Sequence, residues 1–386
     1  MFIIEKCAQV PMDLKRTPIY ECHVELSAKM VDFAGWIMPL QYSGIIEEHM
    51  KVRNSCGIFD VSHMGDILIE GPHARELLFK MLTNNIELAK IGKGIYSHIL
   101  RPDGTIIDDT IVYNLGDDRY LLVPNASTKD KVLAWMTDNN PGAILTDLSE
   151  AMASIAVQGP MAQEVLQKIC EDDLSAIGRF HLSRLTTVLE GDRQDIVNSL
   201  FPGSENGRLG CVACRTGYTG EDGFELLIEA EHAARLWNAI LSIGGGDVAP
   251  AGLGCRDTLR LEKGMLLSGT DFDGTQSSLQ TGPRWVVKMD HDFIGREALE
   301  VQADDPGLSV LVGLVLEEKG IPRHGHDILK DGVVIGHVTS GTMSPVLKKG
   351  IALGYVPRRN SRKDERLLID VRGHLLEARV VSLPFL

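Results

Sequence analysis

Two segments of this chain echo one another, and that echo limits the folds open to it more than any other feature. Residues 67–82 read ILIEGPHARELLFKML and residues 155–170 read IAVQGPMAQEVLQKIC. Each is a short apolar strand, a Gly-Pro step, then a run with apolar residues at helical spacing. Pro72 and Pro160 fall in the first helical turn, where a missing N–H costs nothing. A second echo follows each. Tyr120-Leu121-Leu122-Val123 leads to a helical pattern around Val132, Leu133, Trp135 and Met136. Phe224-Glu225-Leu226-Leu227-Ile228 leads to Ala233, Leu236, Trp237, Ile240 and Leu241. Two related halves, roughly residues 55–140 and 150–250, each read strand, helix, strands, helix. That is the α+β layout of helices on one face of a mainly antiparallel sheet. Each half leaves a sheet face uncovered, so the two are expected to pack together, with a ligand pocket between them.

Other stretches frame these halves. Ile45 to Val52 reads as a helix with Glu47, Glu48 and Lys51 on its wet face. Arg101-Pro102-Asp103-Gly104 has turn chemistry, and residues 105–113 after it read as a strand. Glu190 to Gly210 is polar and reads as a surface loop. From about residue 308 the pattern becomes short strands, at 311–316, 333–338, 351–356 and 378–381. These imply a separate, barrel-like β domain. The expected organisation is an N-terminal extension (1–16), a main region holding both halves (17–300) and the β-barrel domain (301–386). A length of 386 residues suits two or three domains.

Charge and composition exclude several classes. A net charge of −14 argues against a nucleic-acid partner, which needs a basic face. The one dense basic run, residues 358–363, reads as a solvated loop. The seven cysteines are irregularly spaced and form no disulfide framework. Cys211 and Cys214 make a lone CxxC inside an apolar strand, so small buried residues are expected there and no metal site. No run of 18 apolar residues is present, so no membrane span is expected. The first residues hold Glu5 and Asp13 and lack a transit or signal pattern, which makes the cytoplasm the expected location.

Few residues stand out for chemistry. Asp108 and Asp109 sit together in an apolar strand, where neighbouring side chains face opposite ways. One of them must face a core or cleft, and a buried carboxylate is neutralised, bonded or functional. The alternative is a strand-edge pair capping backbone N–H groups. Glu225 lies between apolar neighbours, roughly where Tyr120 and Leu121 lie in the first half. It suits either a ligand's amino-plus-ring N–H edge or a nearby Arg256 or Arg260. His63 reads as a satisfied structural histidine. No GxGxxG, P-loop or GxSxG motif is present.

Taken together, several motifs resemble one family. They include Met30-Val31-Asp32-Phe33-Ala34-Gly35-Trp36, Phe59-Asp60-Val61-Ser62-His63-Met64-Gly65 and Ile107-Asp108-Asp109. Arg215-Thr216-Gly217-Tyr218-Thr219-Gly220 with Gly223-Phe224-Glu225, the stretch Gly252 to Glu262, and Phe293-Ile294-Gly295-Arg296 continue the series. From about residue 17 to the end, the chain resembles the glycine cleavage T-proteins, the aminomethyltransferases. The resemblance implies a three-domain cloverleaf around a folate pocket. It implies transfer of a one-carbon unit from the aminomethyl-lipoyl arm of the H-protein to tetrahydrofolate, with release of ammonia. It assigns catalysis to Asp108 and folate binding to Glu225, Tyr218, Arg256, Tyr96, Tyr113 and Asn125, with no metal.

The chain departs from the family pattern between residues 268 and 283. Ser268 stands where a Tyr is usual, and Ser278-Leu279-Gln280-Thr281-Gly282-Pro283 replaces a Pro-Leu-Glu-Ala-Gly-Leu run. These changes keep a second activity open: a related folate-dependent demethylase acting on a small methylated compound. A non-enzymatic folate-binding module ranks third, because the Asp pair is kept.

Overall fold

The computed structural model describes residues 14–190, 194–200, 207–282 and 284–386. Both echoed segments fold alike. Ile67–Glu70 is a strand, and Gly71 turns the chain with φ +96° into the helix Ala74–Met81. Met152–Gln158 is a strand, and Gly159 turns it with φ +130° into the helix Ala162–Gln167. A side chain at Gly159 would meet the Ser55 carbonyl oxygen at 2.4 Å, so this turn tolerates only glycine. Ala74, Leu77, Leu78 and Met81 are buried, as are Ala162, Val165 and Leu166, each set lying on one helical face.

Strand alternation then sorts the residues into two layers. Ile67 and Ile69 join the core beneath the helices, whereas Leu68 points the other way. The opposite face meets the second half: Leu68, Tyr113 and Leu121 cluster with Met152, Val212, Cys214 and Leu227. The expected packing of two uncovered sheet faces is therefore observed. In the second half Trp237 is fully buried among Ile58, Ile155 and Leu236. Truncating a side chain of that size to alanine costs about 3–5 kcal/mol.

The first sheet has five strands in the order Gly94–Leu100, Ile106–Gly116, Arg119–Val123, Ile67–Glu70, Ile144–Asp147. The second has six: Leu182–Glu190, Arg208–Cys214, Gly223–Glu229, Met152–Gln158, Cys56–Asp60 and Val248–Pro250. The first four positions match in both. Cys56–Asp60 then differs from the sequence expectation, which assigned it to the first half. It pairs antiparallel with Met152–Gln158 and so completes the other half's sheet. Alternation cannot reveal this, because all five of its residues are buried and show no polar face.

The 190–210 stretch also departs from a plain loop. Asp195–Leu200 is a helix whose Val197 and Leu200 enter the core between the sheets; residues 191–193 and 201–206 lie outside the described residues. Lys15–Arg16, expected in the extension, instead pairs as a strand with Trp36–Gln41, while residues 1–13 lie outside the described set.

The C-terminal domain is a closed six-stranded barrel, in the order Ser309–Leu316, Gly350–Pro357, Val333–Met343, Asp327–Lys330, Arg366–Val371, His374–Val381. Two of these strands, Asp327–Lys330 and Arg366–Val371, were not read from the sequence. The expected boundary at 301 falls within the helix Arg296–Ala303. The helix Leu253–Glu262 joins barrel and halves. Its buried Arg260 bonds Asp257 and Asp271 at 2.7 Å each and the Ser340 hydroxyl of the barrel at 2.8 Å.

Candidate active site

One cavity of about 1140 Å³ runs between the two halves and the barrel. That exceeds the roughly 300–1,000 Å³ usual for a pocket holding one small ligand. Of the expected site residues, Tyr96, Tyr113, Asn125, Tyr218, Glu225 and Arg256 all line it.

The Asp pair divides between cavity and core. Alternation along Ile106–Gly116 sends its two carboxylates to opposite sides. Asp109 lines the cavity, whereas Asp108 is wholly buried behind it. Asp108 accepts from the Asn125 backbone N–H and side-chain amide at 2.9 Å each, and from the Ser268 hydroxyl at 3.2 Å. Asp109 accepts from the Tyr96 hydroxyl at 2.8 Å and from the Asn125 amide at 2.7 Å. Asn125 thus grips both acids. Burial, reinforced by the adjacent Asp109 charge, pushes Asp108 up to about 7. Burial also raises Asp109, against the hydrogen bonds from Tyr96 and Asn125. Near neutral pH the pair therefore carries fewer than two negative charges. The member bonded to the tyrosine is the one open to a ligand.

Across the cavity, Glu225 lies on the strand Gly223–Glu229. Its Oε2 accepts from the Thr216 hydroxyl at 2.6 Å. That hydroxyl in turn lies 3.0 Å from the Tyr113 hydroxyl. Because Thr216 spends its one proton on Glu225, Tyr113 donates to Thr216. Tyr113 therefore supports Glu225 through Thr216. Neither Arg256 nor Arg260 pairs with Glu225 by a hydrogen bond. The Arg256 guanidinium lies over the Tyr218 ring, 4.9 Å from its centroid. The Tyr218 hydroxyl donates to the Leu266 carbonyl. This stack holds a cation flat against the cavity wall.

Three buried polar atoms in this cavity have no partner: His63 Nδ1, Asp66 Oδ1 and Arg256 Nη1. Such atoms are costly unless something binds them. His63 is pushed down to about 4 by burial, so it is a neutral imidazole here. Its unpartnered nitrogen departs from the satisfied histidine expected. Asp66, Thr216 and Trp285 also line the cavity and were not singled out from the sequence. Thr216 belongs to the Arg215-Thr216-Gly217-Tyr218 stretch; Trp285, 5.6 Å from Tyr96 by ring centroids, has no periodic signal around it.

The basic run is more than a solvated loop, since Arg358, Ser361 and Lys363 reach the cavity from the barrel side. The CxxC is structural: Cys211 and Cys214 are buried in different cores on opposite faces of one strand. No cluster of three or more metal-ligating side chains occurs among the described residues.

Comparison with known proteins decides the family. Residues 19–291 match the GCVT N-terminal domain, and residues 310–386 match the glycine cleavage T-protein C-terminal barrel domain. The chain belongs to the glycine cleavage T-protein family of aminomethyltransferases. It is 43% identical over 377 residues to an aminomethyltransferase of Halothermothrix orenii, covering 97% of this chain and 100% of that one. It is 42% identical over 375 residues to that of Thermotoga maritima, covering 96% and 98%. The crystal structure of the glycine cleavage system aminomethyltransferase T from Bartonella henselae superposes with a TM-score of 0.85. That pair is 32% identical and covers 97% of this chain and 98% of the other. The expected α+β architecture with its C-terminal barrel is therefore the family's, and the chain is an enzyme of the aminomethyltransferase class. No helix among the described residues is long and apolar enough to cross a membrane.

Proposed function

We propose that the chain moves a one-carbon unit from the aminomethyl-lipoyl arm of an H-protein onto tetrahydrofolate, releasing ammonia. The observation that carries this reading is the opposition, in one cavity, of Asp109 on the first half and Glu225 on the second. The residues present fit a reduced folate. Glu225 offers a fixed acceptor for an amino-plus-N–H edge, Arg256 and Tyr218 form a flat wall, and three unpartnered polar atoms await a ligand. When bound, tetrahydrofolate supplies the nitrogen that captures the carbon.

The chain's own residues supply charge and position. Asp109, held by Tyr96 and Asn125, places a carboxylate where an iminium-like cation develops. Its support is in place before reaction, so little reorganisation accompanies the charge. Asp108 keeps Asn125 and Ser268 in register behind it. Catalysis is thus assigned to Asp109, with Asp108 as a positioning residue. Folate contacts are assigned to Glu225, Tyr218 and Arg256, with Tyr96, Tyr113 and Asn125 beside them in the cavity lining.

Purified protein, aminomethylated H-protein and tetrahydrofolate test this directly. The expected products are ammonia and 5,10-methylenetetrahydrofolate in equal amounts. Formation of 5-methyltetrahydrofolate from a small methylated donor, with no ammonia from the H-protein, would overturn it.

A further inference from the structure

The mechanism above leaves unused one buried acid that lines the cavity. Asp66 lies in the loop between Cys56–Asp60 and Ile67–Glu70 and is only 4% exposed. Its backbone is fixed from both sides. Its N–H donates to the Ser149 hydroxyl at 3.0 Å, and its carbonyl accepts from Leu148 at 2.8 Å. The preceding Gly65 is wedged so tightly that a Cβ there would meet Pro124 at 2.7 Å. The side chain held so firmly lines the cavity, yet its Oδ1 has no partner. The nearby cation is already taken, since Lys129 bonds Asp147 at 2.6 Å.

Packing does not explain a fixed, buried and unpartnered carboxyl facing a cavity, because leaving it unbonded is costly. A ligand group does explain it. We propose that Asp66 is a second carboxyl reader at the Glu225 end of the cavity, donating its proton to a ring carbonyl or ring nitrogen of a reduced pterin while Glu225 accepts from the amino-and-N–H edge. This rests on the folate reading above and adds a specificity-determining residue to it. A heterocycle that offers donors on one side and acceptors on the other needs both kinds of partner. Two ionised carboxylates would reject the acceptors; one ionised and one neutral acid satisfies both.

The surroundings keep Asp66 protonated long enough to do this. Burial first, then the charges of Asp147 and Glu225, push it up to about 7. Cys214, another titratable neighbour, is held well above its usual value and stays neutral. A ligand that needs the protonated form binds best below about pH 7 and loses up to about tenfold per pH unit above it.

Tetrahydrofolate titrations of the full chain between about pH 6 and 9 test this, with thermal unfolding recorded for each variant. Wild type should show that fall in affinity. Asp66→Asn, whose amide donates at every pH, should bind within about threefold of wild type at pH 7 and lose the pH step. Asp66→Ala should bind about tenfold more weakly at pH 7. A pH step that survives in Asp66→Asn would assign it to the Asp108–Asp109 pair and overturn the proposal, as would wild-type affinity in Asp66→Ala. If Asp66→Ala does not fold, the pH profile of Asp66→Asn decides alone. Absence of tetrahydrofolate binding by wild type at every pH removes the folate reading itself, a result distinct from a flat profile with tight binding.

Discussion

The two halves share a topology but not a chemistry. In the first, Tyr113 pairs with Leu121, and Leu121 pairs with Leu68. In the second, Cys214 pairs with Glu225, and Glu225 pairs with Ala156. The echo aligns Leu68 with Ala156, so Leu121 and Glu225 occupy the same place in the two sheets. Likewise His98 faces Asp109 in the first sheet and Thr186 faces Gly210 in the second. Each half therefore bears an acid where the other bears an apolar residue or none. A duplicated scaffold supplies two equivalent positions near one shared space, and only one of each pair needs charge. Of the two opposed acids, Asp109 is therefore carried by one sheet and Glu225 by the other.

This division can be broken from either side. The largest expected effect is at the first half. Asp109→Asn should lower turnover by about 100-fold or more while leaving folate affinity within a few-fold, because the lost charge matters only as the cation forms. Equal loss of binding and turnover would refute that separation. At the second half, Glu225→Ala should weaken tetrahydrofolate binding by about 30-fold or more in a direct titration, since ligand donors and Thr216 both lose their acceptor. Asp108→Asn should cost less, about tenfold or under in turnover, because Asp108 lies behind the cavity wall and acts through Asn125. A larger loss than for Asp109→Asn would return the catalytic role to Asp108.

The smallest effect is on stability. The folded value of Asp108 is raised, so folding favours its protonated form, and stability falls as pH climbs from the unfolded value near 4 towards about 7. Asp108→Asn removes that penalty. Its midpoint temperature should exceed wild type by about 2 °C or more at pH 8 and match it near pH 5. A gain of equal size at both pH values would show that charge is not its cause.

The repeat was legible because its signals are local. A Gly-Pro step beside apolar residues at helical spacing needs no tertiary contact to be read. The barrel strands Asp327–Lys330 and Arg366–Val371 escaped because each mixes apolar and charged residues over few positions. At the site, the choice between Asp108 and Asp109 was beyond any local signal. Alternation says that they face opposite ways, but which side is the cavity depends on the second half, on Asn125 and on Ser268. Asp66 was invisible for the same reason: nothing in Met64-Gly65-Asp66 hints that its neighbours leave it unbonded.

One strand bears on how such a chain is made. Cys56–Asp60 emerges from the ribosome early, yet its hydrogen-bonding partners are Met152–Gln158 and Val248–Pro250. It must wait through the synthesis of the whole first sheet, an apolar ribbon without a mate. A nascent chain of this design is most vulnerable to self-association during that interval, and cutting the gene between the sheets would not yield two autonomous folding units.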